Sequence, residues 1–386
     1  MAGPIYPWRG DNAYTLLIDG TAFMPRMLQR MAAAQQAIDL ELYLVNSGES
    51  SAEVIRVLVA AAGRGVQVRC LLDGFGSAQL SSREREQLNN AGVQLRFYNP
   101  LRWLGGHGNF HRDHRKLLLV DTHRAFVGGA GLTDDFYKPE QLQSHWHEVM
   151  LEVQGPVVAD WQNLFERQWR ISGRRLRWQP PRLKKVRVPA PPLSGEQNGY
   201  GRVSYTDASE HREIMQALLA AISRSERRLW LATPYFLPSW PVRRALKRAS
   251  RRGVDVRLLL CGSITDNPAV RYAGQRFYRG LLKTGVRIFE YQPRFLHLKM
   301  VLADDWVSIG SCNFDHWNMH WNLEANQQAL DASLTTAVIA SFNQDFAQSQ
   351  EWTYAEWLRL PLWHRAKISL WAQLNRLVML WFNIRR

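Results

Sequence analysis

The sequence predicts an α/β protein made of two pseudo-symmetric halves, each a mixed, mainly parallel sheet flanked by helices. Three observations lead to this prediction: strand patterns alternate with amphipathic helical patterns, their order occurs twice, and a polar motif follows in each copy. Strands that alternate with helices indicate βαβ crossovers, which place parallel strands under helices. At 386 residues, the chain is long enough for two cores or one large shared core.

The segments occur in the same order in both copies. The first copy has strands in AAAQQAIDLELYLV (32–45), AAAGRGVQVRCLLDG (60–74), LNNAGVQLRFYNP (88–100) and HRDHRKLLLVD (111–121). The second copy repeats them in LAAISRSERRLWLATPYF (219–236), RASRRGVDVRLLLCG (248–262), LLKTGVRIFEYQP (281–293) and FLHLKMVLAD (295–304). Helical patterns precede the second and third strands, and internal similarity of this kind predicts two related units.

The turn before the second strand of each copy carries a matching signal. Gly65 and Gly253 each follow an arginine at the end of a helical pattern. Glycine suits the left-handed conformation that ends many helices, and a cation is favourable near the carboxyl end of the helix dipole. We expect both helices to end at these glycines.

The repeat divides the chain into residues 1–171, a basic and proline-rich linker at 172–199, residues 200–350, and a C-terminal segment at 351–386. The linker has neither helical nor strand periodicity. Residues 170–187 contain eight Lys or Arg residues and no acidic residue. Both a solvated linker and a contact with acidic lipid headgroups are consistent with this composition.

The net charge of +15 and the pI near 10.1 indicate an anionic partner: nucleic acid, an acidic membrane surface or a phosphorylated substrate. The 16 tryptophans favour a lipid interface. The three cysteines form no CxxC pair, which argues against zinc. No signal peptide and no apolar run long enough to span a bilayer is recognisable, so membrane contact should be peripheral.

The motif HxKxxxxD occurs once in each half. His114, Lys116 and Asp121 form the first copy, and the second copy consists of three more residues: His297, Lys299 and Asp304. One such match would be weak, because a hydrogen-bonded buried histidine is common. Two matches at equivalent repeat positions make coincidence a poor explanation.

These residue types suit displacement at a phosphodiester. One imidazole attacks phosphorus and becomes a phosphohistidine, while the other protonates the leaving alcohol and then deprotonates the incoming one. The lysines neutralise the non-bridging oxygens. A carboxylate behind each ring would fix its tautomer. This chemistry requires no cofactor and no divalent metal.

With these motifs, the sequence resembles the phospholipase D superfamily, and more narrowly bacterial cardiolipin synthases of the short type without transmembrane helices. The resemblance covers about residues 10 to 350 and includes LELYLV (40–45), TPYFLP (233–238) and NLEAN (322–326). It implies phospholipase D-like halves with one active site at their interface.

The resemblance also implies roles for single residues. His114 would be the nucleophile and His297 the general acid and base, with the reverse order left open. Glu324 would support His114, and Glu148 would support His297. The phosphoryl group would be bound by Lys116, Lys299 and Asn313, with Ser311 and Gly129 beside it. Asp121 and Asp304 complete the catalytic motif, although we expect them to anchor the loop after each strand.

Two departures from the family pattern are visible. Gly131 stands where the family usually has asparagine, so one phosphate ligand is lost or replaced by backbone N–H groups, Thr133 or Asn109. The second half has one residue fewer between Asp304 and Gly310 than the first has between Asp121 and Gly128. We expect a tighter turn there and retained activity.

Three further segments allow two interpretations each. The long loop NPLRWLGGHGNFHRDHRK (99–116) is either a wall of the lipid entrance or an exposed excursion. Tyr235 and Phe236 in TPYFLP line an acyl groove or simply pack. The C-terminal segment repeats Trp363, Leu370, Leu374, Leu377, Trp381 and Ile384 at helical spacing among cations. It predicts a membrane-interface helix, with packing against the protein as the alternative.

The sequence thus predicts a cardiolipin synthase on the cytoplasmic side of a bacterial cell membrane, bound peripherally to an anionic surface. It would transfer a phosphatidyl group from phosphatidylglycerol or phosphatidylethanolamine to a second phospholipid. The alternatives are a phospholipase D hydrolase, a transphosphatidylase that forms phosphatidylglycerol, a nucleic-acid phosphodiesterase, and an inactive membrane-binding protein. A Trp-rich C-terminal segment argues against nucleic acid, and the oligomeric state is left open.

Overall fold

The structure is a computed structural model, and it describes residues 4–101, 106–138, 146–172, 188–192, 199–207, 213–314 and 321–381. The predicted linker therefore lies largely outside the described residues, as do the tip of the long loop at 102–105 and Ile384 at the C-terminus.

The first half alternates strands and helices as the sequence predicts. Its strands are β1 (Ala13–Ile18), β2 (Ala37–Leu42), β3 (Gln67–Asp73), β4 (Gln94–Tyr98), β5 (Arg112–Asp113), β6 (Lys116–Val120), β7 (Arg124–Gly128) and β8 (Val149–Gln154). Its helices are α1 (Gly20–Ala32), α2 (Glu49–Gly63), α3 (Ser82–Asn90) and α4 (Val158–Ile171), with a short 3-10 helix at Gly106–Phe110.

The second half has the same order of central elements. Its strands are β9 (Tyr200–Asp207), β10 (Arg228–Thr233), β11 (Asp255–Cys261), β12 (Arg287–Tyr291), β13 (Met300–Ala303), β14 (Trp306–Gly310), β15 (Asn322–Leu330) and β16 (Ser349–Trp352). Its helices are α5 (Glu213–Arg224), α6 (Trp240–Arg251), α7 (Pro268–Gln275), α8 (Tyr278–Leu282), α9 (Ala332–Ala347), α10 (Tyr354–Leu358) and α11 (Leu362–Trp381).

The two sheets are mixed, but they are not mainly parallel, and this part of the prediction is wrong. The first sheet has the order β1-β8-β7-β6-β2-β3-β4. Parallel pairing within it is confined to β2 with β3 and β3 with β4, and the remaining pairs are antiparallel. Helical crossovers enforce parallel pairing, whereas the short turn after β6 produces an antiparallel hairpin.

The second sheet repeats this plan. Its order is β16-β12-β11-β10-β13-β14-β15-β5, and β9 also pairs with β15. The crossovers again give the parallel pairs β10 with β11 and β11 with β12. The strand β16 joins the edge of this sheet by pairing with β12, so the second half extends slightly beyond the predicted boundary at residue 350.

The predicted helix ends are confirmed at both equivalent turns. The helix α2 ends before Arg64 and α6 ends before Arg252, and the glycine that follows each arginine has a positive φ, 88° at Gly65 and 91° at Gly253. Side chains avoid this backbone region, whereas glycine adopts it freely. Each turn therefore directs the chain from an outer helix into a central strand.

The molecule has a layered arrangement with a shared central core. One cluster of buried side chains combines inner faces of both sheets with α4 and α9, including Trp161 and Phe342. Two further clusters lie under α1 and α2 and under α5 and α6. Because both sheets are covered on both faces, KLLLV of β6 and MVLA of β13 are buried throughout.

The halves exchange backbone hydrogen bonds around the two motif histidines. Strand β5 of the first half pairs in parallel with the start of β15, and His114 N–H donates to Leu323 O at 3.0 Å. In the other direction, His297 N–H donates to His147 O at 2.8 Å. Each motif histidine is therefore positioned by the backbone of the opposite half.

The C-terminal segment forms the helix α11, which contacts α7. Ile368 and Ala372 are buried, while an outer row of apolar side chains is exposed: Leu362, Trp363, Leu370, Leu374 and Leu377. One face therefore packs on the protein, as the alternative interpretation holds, and another face is apolar and open. Within the described residues, no helix has the length and apolar character needed to cross a bilayer.

Candidate active site

A cavity of about 700 Å³ lies where the two halves meet, and both motif imidazoles line it. His114 lies between β5 and β6, and His297 immediately precedes β13. Each is 9% exposed, so little more than the face toward the cavity is accessible. The prediction that both histidines face one common cavity is thereby met.

The imidazole of His114 is supported from the second half. Its Nδ1 lies 3.1 Å and 2.9 Å from the two carboxylate oxygens of Glu324 on β15. Ser311 Oγ donates to the same carboxylate from behind. Burial, opposed by Lys116, raises the pKa of Glu324 to about 8. This carboxyl group is therefore largely protonated at neutral pH.

The imidazole of His297 is supported from the first half. Its Nδ1 lies 2.6 Å from Glu148 Oε2, and Lys299 Nζ lies 3.4 Å from the same oxygen. Burial would raise the pKa of Glu148, but Lys299 and His297 outweigh it and hold that pKa below its usual value. Glu148 is therefore ionised at neutral pH.

Gly129 and Ser311 occupy equivalent places in the repeat, and both lie against the supporting carboxylates. A Cβ atom on Gly129 would lie 2.1 Å from Glu148 Oε2, so only glycine leaves room for this carboxylate. Gly129 also lines the cavity, whereas Ser311 contacts Glu324 and the backbone of Ala325. The predicted phosphate-binding role of Ser311 is replaced by support of Glu324.

Both lysines of the motifs are buried beside the histidines. Burial, partly offset by Glu324, lowers the pKa of Lys116 to about 7, and burial also lowers the pKa of Lys299. Lys116 Nζ donates to His114 O at 2.7 Å. A desolvated ammonium group is poised to gain from an arriving anion, since a negative charge favours its protonated form.

The imidazoles are neutral while the site is empty. Burial and the neighbouring lysines lower the pKa of His114 well below its usual value and that of His297 to about 3. A neutral imidazole has the lone pair that a nucleophile needs. A bound phosphodiester adds negative charge and favours protonation of one ring, which supplies the general acid.

Asn313 lines the cavity and is buried, consistent with its predicted place beside the phosphoryl group. Its equivalent, Gly131, also lines the cavity, but a Cβ atom there would lie 2.8 Å from Leu44 O. The local backbone therefore excludes an asparagine at position 131. Of the proposed substitutes, Asn109 lines the cavity, whereas Thr133 Oγ1 donates to Asp135 at 3.2 Å.

Asp121 and Asp304 are not part of the cavity, so their catalytic assignment is corrected to a structural one. Asp121 accepts hydrogen bonds from the backbone N–H groups of residues 35–37, and Asp304 accepts them from residues 226–228. Both have positive φ, 51° and 53°. Each carboxylate ties the turn after the motif strand to the start of its neighbour, as the loop-anchoring interpretation predicts.

The long loop and TPYFLP contribute to the cavity wall. Leu101, Asn109 and Phe110 line it from the loop, and Leu101 is 56% exposed. Tyr235 lines it from the second half, whereas Phe236 is buried in the outer core. These residues make the mouth of the cavity partly apolar.

Several residues of the cavity were not singled out from the sequence. Tyr43 lies 4.9 Å from the ring of His114, and Trp146 lies 5.1 Å from the ring of His297, measured between centroids. Arg112 lines the cavity and is held by Asp73. A period-2 signal was available for Arg112, because it lies two residues before His114 on an extended segment.

The arrangement can bind one phosphodiester between two imidazole and ammonium pairs. Within the described residues, no cluster of His, Cys, Asp and Glu that would hold a metal ion is found. The partly apolar mouth and the cationic interior together suit an amphiphile with a phosphate headgroup.

Comparisons with known proteins agree with this chemistry. A family model described as "Cardiolipin synthase, PLD-like domain" matches residues 27–169 and 218–346. Cardiolipin synthase A of Pseudomonas entomophila is 32% identical over 351 residues, covering 90% of this chain and 71% of that protein. Cardiolipin synthase B of Salmonella typhi is 35% identical over 317 residues, covering 80% and 74%.

Among solved structures, phosphatidylserine synthase of Haemophilus influenzae aligns with a TM-score of 0.74 and 14% identity, covering 96% of both chains. At this identity, the alignment supports the fold. The two-half architecture described above is thus shared with a solved protein over nearly the whole chain.

Proposed function

The chain belongs to the cardiolipin synthase family with phospholipase D-like domains, and from this premise we propose how its cavity performs phosphatidyl transfer. The protein is a phosphatidyltransferase of the cardiolipin synthase type. One observation carries the mechanism: two imidazole–ammonium pairs from equivalent places line one cavity, and each imidazole is supported by a carboxylate of the opposite half.

In the first step, the lone pair of the His114 imidazole attacks the phosphorus of the donor lipid. The bond between phosphorus and the headgroup oxygen breaks, and His297 donates a proton to that oxygen. Lys116, Lys299 and Asn313 bind the non-bridging oxygens while their charge is redistributed. The product of this step is a phosphatidyl group bonded to His114 and a free alcohol.

In the second step, the acceptor hydroxyl gives its proton to His297, and its oxygen attacks phosphorus. The bond between phosphorus and the His114 nitrogen breaks, which restores both imidazoles. The donor is phosphatidylglycerol or phosphatidylethanolamine, with glycerol or ethanolamine released. The acceptor is the free hydroxyl of a second phospholipid, and the product is cardiolipin.

The experiment that tests this mechanism uses vesicles with labelled phosphatidylglycerol. His114→Ala and His297→Ala should each lower cardiolipin formation by at least ~10³-fold, because both steps need both groups. In the His297→Asn variant, rapid quenching in alkali should trap a phosphatidyl group on His114, detected by mass spectrometry. Trapping on His297 in the His114→Asn variant instead would reverse the roles, and full activity of either alanine variant would refute the mechanism.

We also propose that the protein lies on an anionic membrane surface through α6 and α11. A second cavity of about 590 Å³ is lined by six cations and no acidic residue: Arg243, Arg244, Lys247, Arg248, Arg251 and Arg276. Arg276 Nη1 donates to Ala372 O on α11, which exposes its outer row of apolar side chains. Cations attract acidic headgroups, and exposed Leu and Trp side chains favour the interface.

This surface also leads to the catalytic cavity. Asn375 on α11 and Val270 on α7 line the catalytic cavity, so the helix with the exposed apolar row borders the entrance. A lipid could then enter from the bilayer without leaving an apolar environment. We assign this surface to the cytoplasmic leaflet, where acidic lipids attract basic proteins.

A further inference from the structure

We propose that Arg112, held by Asp73, binds the phosphate of the acceptor lipid and thereby selects an anionic phospholipid as acceptor. This inference rests on the proposed function, because it concerns the second lipid of the same reaction. It concerns a residue outside the duplicated HxK motif, so it is not a consequence of the motif chemistry.

The guanidinium group of Arg112 is a buried cation at the wall of the catalytic cavity. The residue is 7% exposed and lines the cavity together with His114 and Lys116. Its Nη1 donates to Asp73 Oδ1 at 3.2 Å and its Nη2 donates to Asn99 O at 2.8 Å. Its Nε–H is buried without an acceptor. A guanidinium has five N–H donors, so donors remain for a ligand.

Asp73 is itself fixed in place by the backbone. Its Oδ1 accepts from Phe75 N–H at 2.9 Å and Gly76 N–H at 3.0 Å, and its Oδ2 accepts from Asp113 N–H at 2.8 Å. The carboxylate balances the charge of Arg112 in the empty cavity and fixes the orientation of its planar fork. A preorganised guanidinium is the side chain best suited to bidentate binding of phosphate.

This pair exists in the first half alone. Alignment of the repeats places Cys261 at the position of Asp73 and Phe295 at that of Arg112. Cys261 Sγ donates to Leu296 O, and Phe295 packs against Trp146. The groups that handle the reacting phosphate are duplicated, whereas this one is not. A single additional cation suits a single additional anion, and the reaction contains one: the phosphate of the acceptor.

The spacing agrees with this assignment. Arg112 and His114 are two residues apart on an extended segment, which separates them by about 6.6 Å. In a product with two phosphates on one glycerol, six bonds separate the phosphorus atoms. An extended chain gains about 3.6 Å per three bonds, so six bonds span at most about 7 Å. A phosphate next to Arg112 is therefore one glycerol bridge from a phosphorus bonded to His114.

The consequence is a preference among acceptors. Water and simple alcohols have a hydroxyl but no phosphate, so they gain nothing from Arg112. Phosphatidylglycerol has its free hydroxyl at the correct distance from a phosphodiester. Arg112 therefore favours transfer to an anionic lipid over transfer to a neutral alcohol or to water.

The test compares two acceptors in one sample: unlabelled phosphatidylglycerol and n-butanol, with a labelled phosphatidyl donor in mixed micelles. The measured quantity is the ratio of cardiolipin to phosphatidylbutanol. We expect Arg112→Gln to lower this ratio at least tenfold and Arg112→Lys to lower it less, because lysine keeps the charge without the fork. Because both products arise from the same molecules, partial unfolding cancels in the ratio.

The matched control is Arg115→Lys. Arg115 is a buried arginine of the same segment that pairs with Glu41 at 3.5 Å and does not line the cavity. Its ratio should equal that of the wild type. An equal loss of both products in the Arg112 variants would overturn the inference and leave the proposed function in place. A wild-type protein that forms neither product would overturn the proposed function and the inference with it.

Discussion

Gly129 and Ser311 show how one side chain makes two repeated halves chemically different. Without a side chain at 129, the carboxylate of Glu148 approaches closely and stays ionised beside His297 and Lys299. At the equivalent position, Ser311 donates to Glu324, whose pKa is raised by burial to about 8. The two imidazoles therefore face an ionised and a largely neutral partner, which suits a division of roles between nucleophile and acid.

Gly129→Ala tests this arrangement at the residue scale. The added methyl group would displace the Glu148 carboxylate and with it the ring of His297. We expect phosphatidyl transfer to fall by roughly 10²-fold, because displacements of about 1 Å in an active site have effects of this size. The rate is measured with labelled phosphatidylglycerol, and thermal unfolding of the same sample confirms the fold.

Ala130→Gly is the control, since it changes the neighbouring small residue in the opposite direction. It should cost some stability while leaving a rate much closer to that of the wild type. Transfer at the wild-type rate by Gly129→Ala would show that the carboxylate does not need this space.

His147 connects elements of both halves at the scale of strands and helices. It precedes β8, and its Nδ1 contacts Asp19 at 2.8 Å, at the start of α1, while its Nε2 contacts Asp345 on α9 at 3.1 Å. Burial opposes its charge, but these two carboxylates raise the pKa of His147 to about 9. The same residue gives and receives the backbone hydrogen bonds that position His297.

The stability of the protein should therefore decline in alkali through His147. Because the pKa is higher in the folded state than the usual 6.5, its contribution is complete below about pH 6.5 and is lost as pH rises through about 9. The shift corresponds to a contribution on the order of 3 kcal/mol. Urea unfolding at pH 6 and pH 10 measures it.

The comparison uses His147→Gln, because other groups also titrate in this range. The wild type should lose about 3 kcal/mol more than the variant between the two pH values. Equal losses in the two proteins would exclude His147 as the origin of the alkaline decline.

The helices α6 and α11 form the proposed membrane surface. On α6, cations line one cavity, and Trp240 is exposed under the guanidinium of Arg244, whose carbon lies 5.0 Å from the ring centroid. On α11, burial of Ile368 and Ala372 fixes which face points outward. The sequence showed the apolar period of α11, but only packing against α7 decides which side chains stay exposed.

Reversal of two charges on α6 tests this surface. Arg244→Glu with Arg248→Glu should weaken binding to phosphatidylglycerol vesicles at least tenfold, since each basic residue near an acidic surface contributes about 1 kcal/mol. Sedimentation with vesicles at two salt concentrations measures the effect. The matched control, Arg56→Glu with Arg83→Glu on the first half, should bind like the wild type. Equal losses in both double variants would indicate nonspecific attraction.

At the scale of the whole molecule, neither half has a complete site. Glu324 and the backbone of β15 position His114, while Glu148 and His147 position His297. The shared core contains side chains of both sheets, including Leu117 and Met300 from the two motif strands. Duplication thus supplies two similar halves, and their face-to-face packing creates a single cavity.

Mixing the variants His114→Ala and His297→Ala tests whether one chain forms one site. Both histidines must belong to the same chain if they face one intramolecular cavity. We expect the mixture to stay as inactive as each variant alone in the labelled-lipid assay, even after the two are unfolded and refolded together. Recovery of activity would place the site between two chains.

The sequence by itself determined the repeat, the order of strands and helices, the helix ends at Gly65 and Gly253, and the two HxK pairs. These features depend on local periodicity and on residue types at fixed spacing, which one chain displays directly. The carboxylates Glu148 and Glu324 came from resemblance, since neither lies near its histidine in the sequence.

The tertiary structure alone decided the sheet pairing, the role of Ser311 and the part played by Arg112. Strand direction follows from how the chain turns after β6, which no periodicity encodes. Ser311 and Gly129 acquired their roles from carboxylates that arrive from distant strands. Arg112 became a cavity residue because Asp73, 39 positions earlier, fixes its side chain. Contacts between distant residues depend on packing of the halves, and only the folded chain contains them.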